Sequence, residues 1–419
     1  MSVGQLIVIG GGAAGMMAAG QAALMGVEVL LLEKKGTLGR KIALSGKGRC
    51  NLTNEENITE FIRHYPGNGR FLQGVLREFD NVRLRRFFAD LGVETKVERG
   101  GRVFPVSDNA GIIVKVLEKF LHQAKVKIRT GTTVEEILAE NGRIKGVRLA
   151  DGETLPARAV IVCTGGSSYP ATGSTGDGFN FARKLGHQVT PLRSALVPLR
   201  TAEDWVKDVQ GLALRNVEAC LLVAGKKQAS EFGEMLFTHF GVSGPIILTL
   251  SRLAGEALGK GQAVRLEINL KPVLSPDKLD IRLQRDFQAC SNKQFKNSLN
   301  ELLPKSLIPV IIRLSGINPE QVIHQITRDE RKKLGQLLQG LPLTVTSTLP
   351  LAAAIVTAGG VEVKEINPKT MASKIIDGLY WAGEVVDVDG VTGGYNLQAA
   401  FAMGYRAGRA AGQLVLSEV

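Results

Sequence analysis

The stretch Leu6-Ile7-Val8-Ile9-Gly10-Gly11-Gly12-Ala13-Ala14-Gly15, read together with Glu33, decides the fold of this chain. Leu6 to Ile9 is a short apolar run fit for a buried parallel strand. Small residues after Gly15 predict a helix to about Met25, Gly26 stops it, and Val27 to Leu32 predicts a second strand ending in Glu33. That is a βαβ unit within about 30 residues. Gly10 allows a tight turn, Gly12 lets the backbone approach a pyrophosphate, and Gly15 lets the helix pack on the strand. Ala13 and Ala14 open a helix whose free N–H groups point at the anion. Glu33 lies 18 residues beyond Gly15, where a carboxylate accepts both hydroxyls of an adenosine ribose. An acid there disfavours a 2′-phosphate, so the resident nucleotide is FAD or NAD rather than NADP.

The far end of the chain chooses between them. Gly378-Leu379-Tyr380-Trp381-Ala382-Gly383-Glu384 reads as a strand ending in a Gly-acid step, and Gly393-Gly394-Tyr395-Asn396-Leu397 opens a last long helix to about Leu416. In flavoproteins of the glutathione-reductase type, Gly383 and Glu384 would reach the ribityl chain. The helix starting at Gly394, Tyr395, Asn396 and Leu397 would aim its N-terminus at the flavin, where reduced flavin is negative. A strand at 159–163 entering Thr164-Gly165-Gly166 supplies the third contact of such a domain. The reading is FAD. No second GxGxxG occurs, so NADPH or NADH would dock only transiently as reductant.

Outward from these anchors the texture changes. A helix near 111–124 precedes strands around 126–129, 144–149 and 159–163, with turns at Asn141-Gly142 and Asp151-Gly152. Segments 195–200, 215–224 and 262–270 are strand-like, suggesting a small barrel or sandwich, and 276–340 is helical and polar. The expected class is α/β: a Rossmann-like FAD-binding domain interrupted by an insertion. Its expected parts are 1–191 (FAD-binding), 192–275 (inserted β-barrel), 276–341 (helical subdomain) and 342–419 (last barrel strand and return to the FAD-binding domain).

Composition narrows the function classes. The 419 residues are 44% hydrophobic, which excludes a disordered chain. Cysteines 50, 163, 220 and 290 are 113, 57 and 70 residues apart, so a disulfide scaffold or zinc knuckle is not expected. No HxH or HExxH occurs, and His64, His122, His187 and His324 lack metal-ligand spacing. Residues 1–27 and 334–361 are uncharged, but glycines and prolines break both runs, and a cytoplasmic chain with no membrane segment is expected. Lys and Arg total 52 against 40 Asp and Glu, a net charge of +12 that favours polyanionic partners.

Residues 34–54 hold six basic side chains and no acid. The glycine spacing implies backbone close to a ligand, so Lys34, Arg40, Lys41, Ser45, Gly46, Gly48, Arg49 and Asn51 are assigned to the flavin, with Arg49 and Lys47 shared with substrate. Cys50 reads two ways: an inert buried thiol, or a catalytic proton donor whose pKa a basic loop would lower. His239, in a Gly-flanked loop of the insertion, is the second catalytic candidate. Arg83, Arg85 and Arg86, and Arg331, Lys332 and Lys333, are solvated helix faces or phosphate contacts.

The motifs Gly39-Arg40-Lys41-Ile42-Ala43-Leu44-Ser45-Gly46-Lys47-Gly48-Arg49-Cys50-Asn51-Leu52-Thr53-Asn54, Arg102-Val103-Phe104-Pro105, Tyr169-Pro170-x-Thr172-Gly173-Ser174-Thr175-Gly176-Asp177-Gly178 and Phe237-Thr238-His239-x-Gly241-x-Ser243-Gly244-Pro245 resemble the YhiN/BaiN-like family. Thr357-Ala358-Gly359-Gly360-Val361 and Gly393-Gly394-Tyr395-Asn396-Leu397-Gln398 extend the resemblance over nearly the whole chain. It implies an FAD-dependent oxidoreductase with an inserted barrel and helical subdomain. One branch of the family reduces uridine to dihydrouridine in large-subunit ribosomal RNA, and others act as aminoacetone oxidases or bile-acid-pathway reductases. The expectation is the ribosomal RNA activity, with RNA held by the basic surface. The alternatives are a small-molecule amine or ketone oxidoreductase and a flavin-containing ribosome-assembly factor. A monomer is one option for the oligomeric state.

Overall fold

The structure is a computed structural model that describes residues 5–417. The first four residues of the uncharged opening stretch, and the last two of the expected return to the FAD-binding domain, lie outside the described residues. The chain divides into two compact units, Met1–Arg193 with Leu351–Val419, and Ser194–Pro350.

The first unit is built on a five-stranded parallel sheet. Its spatial order is Leu379–Trp381, Ala159–Val162, Leu6–Ile9, Val29–Glu33 and Lys127–Thr130. Leu6 pairs with Ala159 on one side and Val29 on the other, and Val160 pairs with Leu379. The central strands are continuous apolar runs because both of their faces are buried. Every residue of Leu6–Ile9 and Ala159–Val162 is buried. Helix Ala13–Ala23 follows the first strand, and helix Tyr395–Ser417 lies against it. Their backbones touch. A Cβ on Gly404 would overlap the Ala14 carbonyl, and one on Gly408 the Ala18 carbonyl.

Two small antiparallel sheets complete this unit. One joins Val134–Glu140, Arg143–Leu149 and Thr154–Pro156. Its first turn has Asn141 at φ +51° and Gly142 at φ +73°, the left-handed pair that a two-residue hairpin needs. The other joins Thr53–Asn54, Arg102–Pro105 and Thr95–Glu98.

The second unit is a closed six-stranded barrel, in the order Leu199–Thr201, Gly241–Ser243, Lys226–Thr238, Ala213–Val223, Val264–Asn269 and Leu341–Thr348. The thirteen-residue strand Lys226–Thr238 carries no apolar alternation in its first half, and the sequence gives no sign of it there. Helices Pro276–Ala289, Ile308–Ser315 and Arg328–Gln339 bury Leu283, Ile311 and Leu334 in the same core as Leu221 and Leu266 of the barrel. Among the described residues, no helix is long and apolar enough to cross a membrane, and no group of three or more His, Cys, Asp or Glu could hold a metal ion.

Candidate active site

A cavity of about 550 Å³ opens in the first unit at the carboxyl ends of the sheet strands. Its lining runs from Glu33 past Gly10, Gly11 and Gly12 to Asn396. The first turn is shaped by what its glycines leave out. Gly10 stands at φ +103°, with the Cys163 carbonyl where a side chain would be, and a Cβ on Gly15 would overlap the Gly10 carbonyl. Gly12 has nothing within 4 Å of that position, so its side is open to a ligand. Glu33 ties the turn from beneath. Its Oε2 accepts the Gly11 N–H at 2.7 Å and its Oε1 accepts the Lys35 N–H at 2.8 Å. Each oxygen keeps a lone pair for hydroxyls of a ribose.

The middle of the cavity holds a half-buried ion pair. Lys41 Nζ donates to Glu384 Oε2, and to Ser168 Oγ at 2.6 Å. Glu384 Oε1 accepts from Ser168 Oγ and from the Thr357 N–H, each at 2.8 Å. Burial alone would push the Glu384 carboxyl up, but the Lys41 ammonium and these donors hold it below the usual carboxylate range. Two of the three Lys41 N–H bonds are used, leaving one for a ligand.

Helix Tyr395–Ser417 brings Asn396, Leu397 and Met403 to the wall. Asn396 clamps the preceding turn, accepting the Gly390 N–H at 2.8 Å and donating to the Gly390 carbonyl at 2.7 Å. The N-terminus of this helix therefore meets the cavity, where its dipole favours negative charge. Thr164 Oγ1 also belongs to a lining residue and is buried without a hydrogen-bond partner. The glycine cradle, the ribose-ready carboxylate, the unsatisfied hydroxyl and the helix N-terminus fit a dinucleotide of FAD's length and charge.

The residues predicted from sequence are placed as follows. Gly10, Gly12, Ala13, Ala14, Glu33, Lys34, Arg40, Lys41, Ser45, Gly46, Thr164, Gly165, Gly383, Glu384, Asn396 and Leu397 line the cavity. Gly15, Gly48, Arg49, Asn51, Gly166, Gly394 and Tyr395 do not. Gly166 and Gly394 matter as absences: a Cβ would strike the Thr357 hydroxyl or the Thr53 carbonyl. Tyr395 turns away to donate to Glu56 at 2.9 Å.

The loop around Cys50 departs from expectation. The Arg49 guanidinium is taken up by Glu98 and by Asp108, the latter at 2.6 Å, and lies 4.2 Å from the centre of the Phe104 ring. It is not available to share with a substrate. Cys50, at φ +61°, is fully buried and outside the cavity lining. Burial pushes its thiol up to about 12, overriding a hydrogen bond with Ser45, so the lowered pKa expected from a basic loop does not arise. His239 lies in the second unit, exposed, its ring edge-on to Phe240 at 4.9 Å.

Sequence reasoning gave no task to Thr132, Thr133 and Val134, to Tyr169, or to Asp177, all of which line the cavity. Asp177 fixes Lys34 through a 2.5 Å ion pair. Tyr169 and Asp177 sit in a motif already visible in the sequence, so a signal was there.

The sequence matches the family described as HI0933-like protein Rossmann domain over residues 4–410. The chain belongs to the HI0933-like family. It is an FAD-dependent oxidoreductase of Rossmann type. A 3-dehydro-bile acid delta(4,6)-reductase of Clostridium scindens is 35% identical to this HI0933-like chain over 97% of it and 98% of the relative. A ribosomal RNA dihydrouridine synthase of Haemophilus influenzae is 32% identical, with 95% and 96% covered, and its Escherichia coli counterpart is 31% identical, with 94% of each covered. In fold, the chain is similar to a 3-ketosteroid delta1-dehydrogenase of Sterolibacterium denitrificans, with a TM-score of 0.53, 15% identity, and 98% and 99% of the two chains covered.

Proposed function

We propose that this enzyme reduces the C5=C6 bond of uridine in large-subunit ribosomal RNA, with NADPH or NADH as the reductant. The names of its relatives share one chemistry. A dihydrouridine synthase saturates an alkene conjugated to the C4 carbonyl of uracil, and a 3-dehydro-bile acid delta(4,6)-reductase acts on an alkene conjugated to a ketone. In either case hydride reaches the β-carbon, a proton reaches the α-carbon, and the carbonyl oxygen becomes an enolate in passing. Bound FAD supplies the hydride.

The chain's own residues supply the rest. Lys41, held by Glu384 and Ser168, presents its remaining N–H to a carbonyl oxygen and stabilises enolate charge without reorganising. Glu384 keeps that ammonium fixed in the wall. Cys50 is not proposed as the acid that protonates C5, because the thiol is fully buried and Cys50 is not itself a lining residue. His239 is not among the lining residues.

The observation that carries RNA over a steroid is the rim. Arg40 and Lys47 line the cavity, are exposed, and have no acidic partner among the described residues. Free cations beside the opening suit phosphates flanking an unstacked base, and a base must leave its stack to be reduced. The bile acid reading draws on Leu44, Ile355 and Met403, which give the same cavity apolar surface. Incubating FAD-loaded protein and NADPH with unmodified ribosomal RNA, then digesting and weighing the nucleosides, decides between them. Dihydrouridine should appear. Consumption of a 3-oxo-Δ4,6 bile acid with no dihydrouridine overturns the reading.

A further inference from the structure

Tyr169 is the part of the cavity wall that the proposed reaction leaves without a task. Its backbone is left-handed, at φ +50° and ψ +61°, a conformation that bulky side chains avoid. The surroundings enforce it. Pro170 fixes the next φ, and Thr172 returns two bonds to the Tyr169 carbonyl, from its N–H at 2.9 Å and its hydroxyl at 2.7 Å. Just before it, the fully buried Ser168 is tied to Glu384 and Lys41. A strained turn thus fixes one aromatic residue immediately beside the ion pair assigned to the carbonyl.

The side chain is also unemployed. Tyr169 is 39% exposed while lining the cavity, and among the described residues its ring meets no other ring and its hydroxyl has no partner. Such a conformation persists only where the surroundings impose it, and ligand clamps are among the places that do. Arg40 and Lys47 lie on the rim of the same opening.

We propose that Tyr169 is the stacking platform for the substrate's flat face, and that this face is a pyrimidine base carried on a single strand whose phosphates meet Arg40 and Lys47. The inference rests on the ribosomal RNA reading above. Stacking suits the task because every base has a π-face, while the cations hold the strand without reading sequence.

The test uses the FAD-loaded protein and a fluorescent single-stranded oligouridine, with affinity read by anisotropy. Tyr169→Ala and Tyr169→Gly should bind about 10- to 100-fold more weakly, and Tyr169→Phe within about twofold of the parent. Glycine accepts the left-handed backbone, so Tyr169→Gly keeps the test sound if alanine distorts the turn. FAD occupancy and bleaching of the flavin by NADPH should stay within about twofold in all three. Loss of FAD in both Tyr169→Ala and Tyr169→Gly would give the ring to the cofactor and overturn the proposal. So would parent-like oligouridine affinity and dihydrouridine formation in Tyr169→Ala, which leaves the RNA reading standing. A parent protein that neither binds oligouridine nor modifies RNA overturns both.

Discussion

The turn opening helix Ala13–Ala23 and the loop 45–50 are both glycine-rich and both reach the cavity, yet they use their residues in opposite ways. In the turn, side chains are absent so that the backbone can face a ligand, and the one acid, Glu33, is bonded to that backbone. In the loop, left-handed conformations at Gly46, Lys47, Gly48 and Cys50 fold the chain back on itself. Arg49 is then absorbed by Glu98 and Asp108, and Cys50 by the core. Glycine beside charge therefore marks a tight backbone, and only the bonds made by each polar atom tell whether a ligand has anything left to meet. The set Ser373, His187 and Glu365 repeats the lesson. His187 Nε2 is 2.9 Å from Ser373 Oγ and Nδ1 is 3.1 Å from Glu365, the spacing of a hydrolytic triad. But Ser373 Oγ already accepts the N–H groups of Ile375 and Ile376, so no lone pair remains to attack.

The contrast breaks first at Gly15. Gly15→Val drives a side chain into the Gly10 carbonyl and should cost about 3 kcal/mol or more, with FAD lost on desalting. Parent-like flavin content and melting temperature would show that the turn is not rigid. Glu33→Gln is milder. It removes a charge-assisted acceptor, and FAD should bind with about 1.5–3 kcal/mol less affinity by calorimetric titration.

His187 offers a pH test of the inert triad. Burial lowers its pKa below 6.5 despite the Glu365 carboxylate, so the folded state favours the neutral ring. That stability is complete above about pH 6.5 and is lost as pH falls below it, by at most about 1.4 kcal/mol per pH unit. In urea titrations from pH 7.5 to 5, His187→Gln should flatten the decline; an identical decline would remove His187 as its cause.

Cys50→Ala should leave the proposed dihydrouridine formation within about twofold, because Cys50 is outside the lining, while stability falls by about 1 kcal/mol. A loss of 10²-fold or more with FAD retained would return Cys50 to the chemistry.

Much of the fold was legible because burial on both faces writes a strand as an uninterrupted apolar run, as in Leu6–Ile9 and Ala159–Val162. Strand Lys226–Thr238 was not, because a strand held by its barrel neighbours needs no apolar face over Lys226, Lys227 and Gln228. Strand Val134–Glu140 was hidden likewise, its acids facing solvent. At the site, Gly10 to Gly15 and Glu33 stand out because their spacing is local. The Lys41–Glu384 pair joins residues 343 apart, and no short-range pattern announces it. The two readings of Cys50 stayed open because exposure is decided by packing, which loop composition does not reveal.

The seam between helices Ala13–Ala23 and Tyr395–Ser417 also governs timing. Gly404 and Gly408 let the last helix close on the first, and Thr53, donating to Gln398 at 2.7 Å, anchors a contact 345 residues apart in sequence. At about 5–20 residues per second, a ribosome takes roughly 20–70 s to span that distance. Throughout that interval the emerging glycine turn has no partner helix, and the nucleotide that will occupy it has only half a berth. A whole FAD site therefore forms only after helix Tyr395–Ser417 has been made, and FAD bound there stabilises the closed seam.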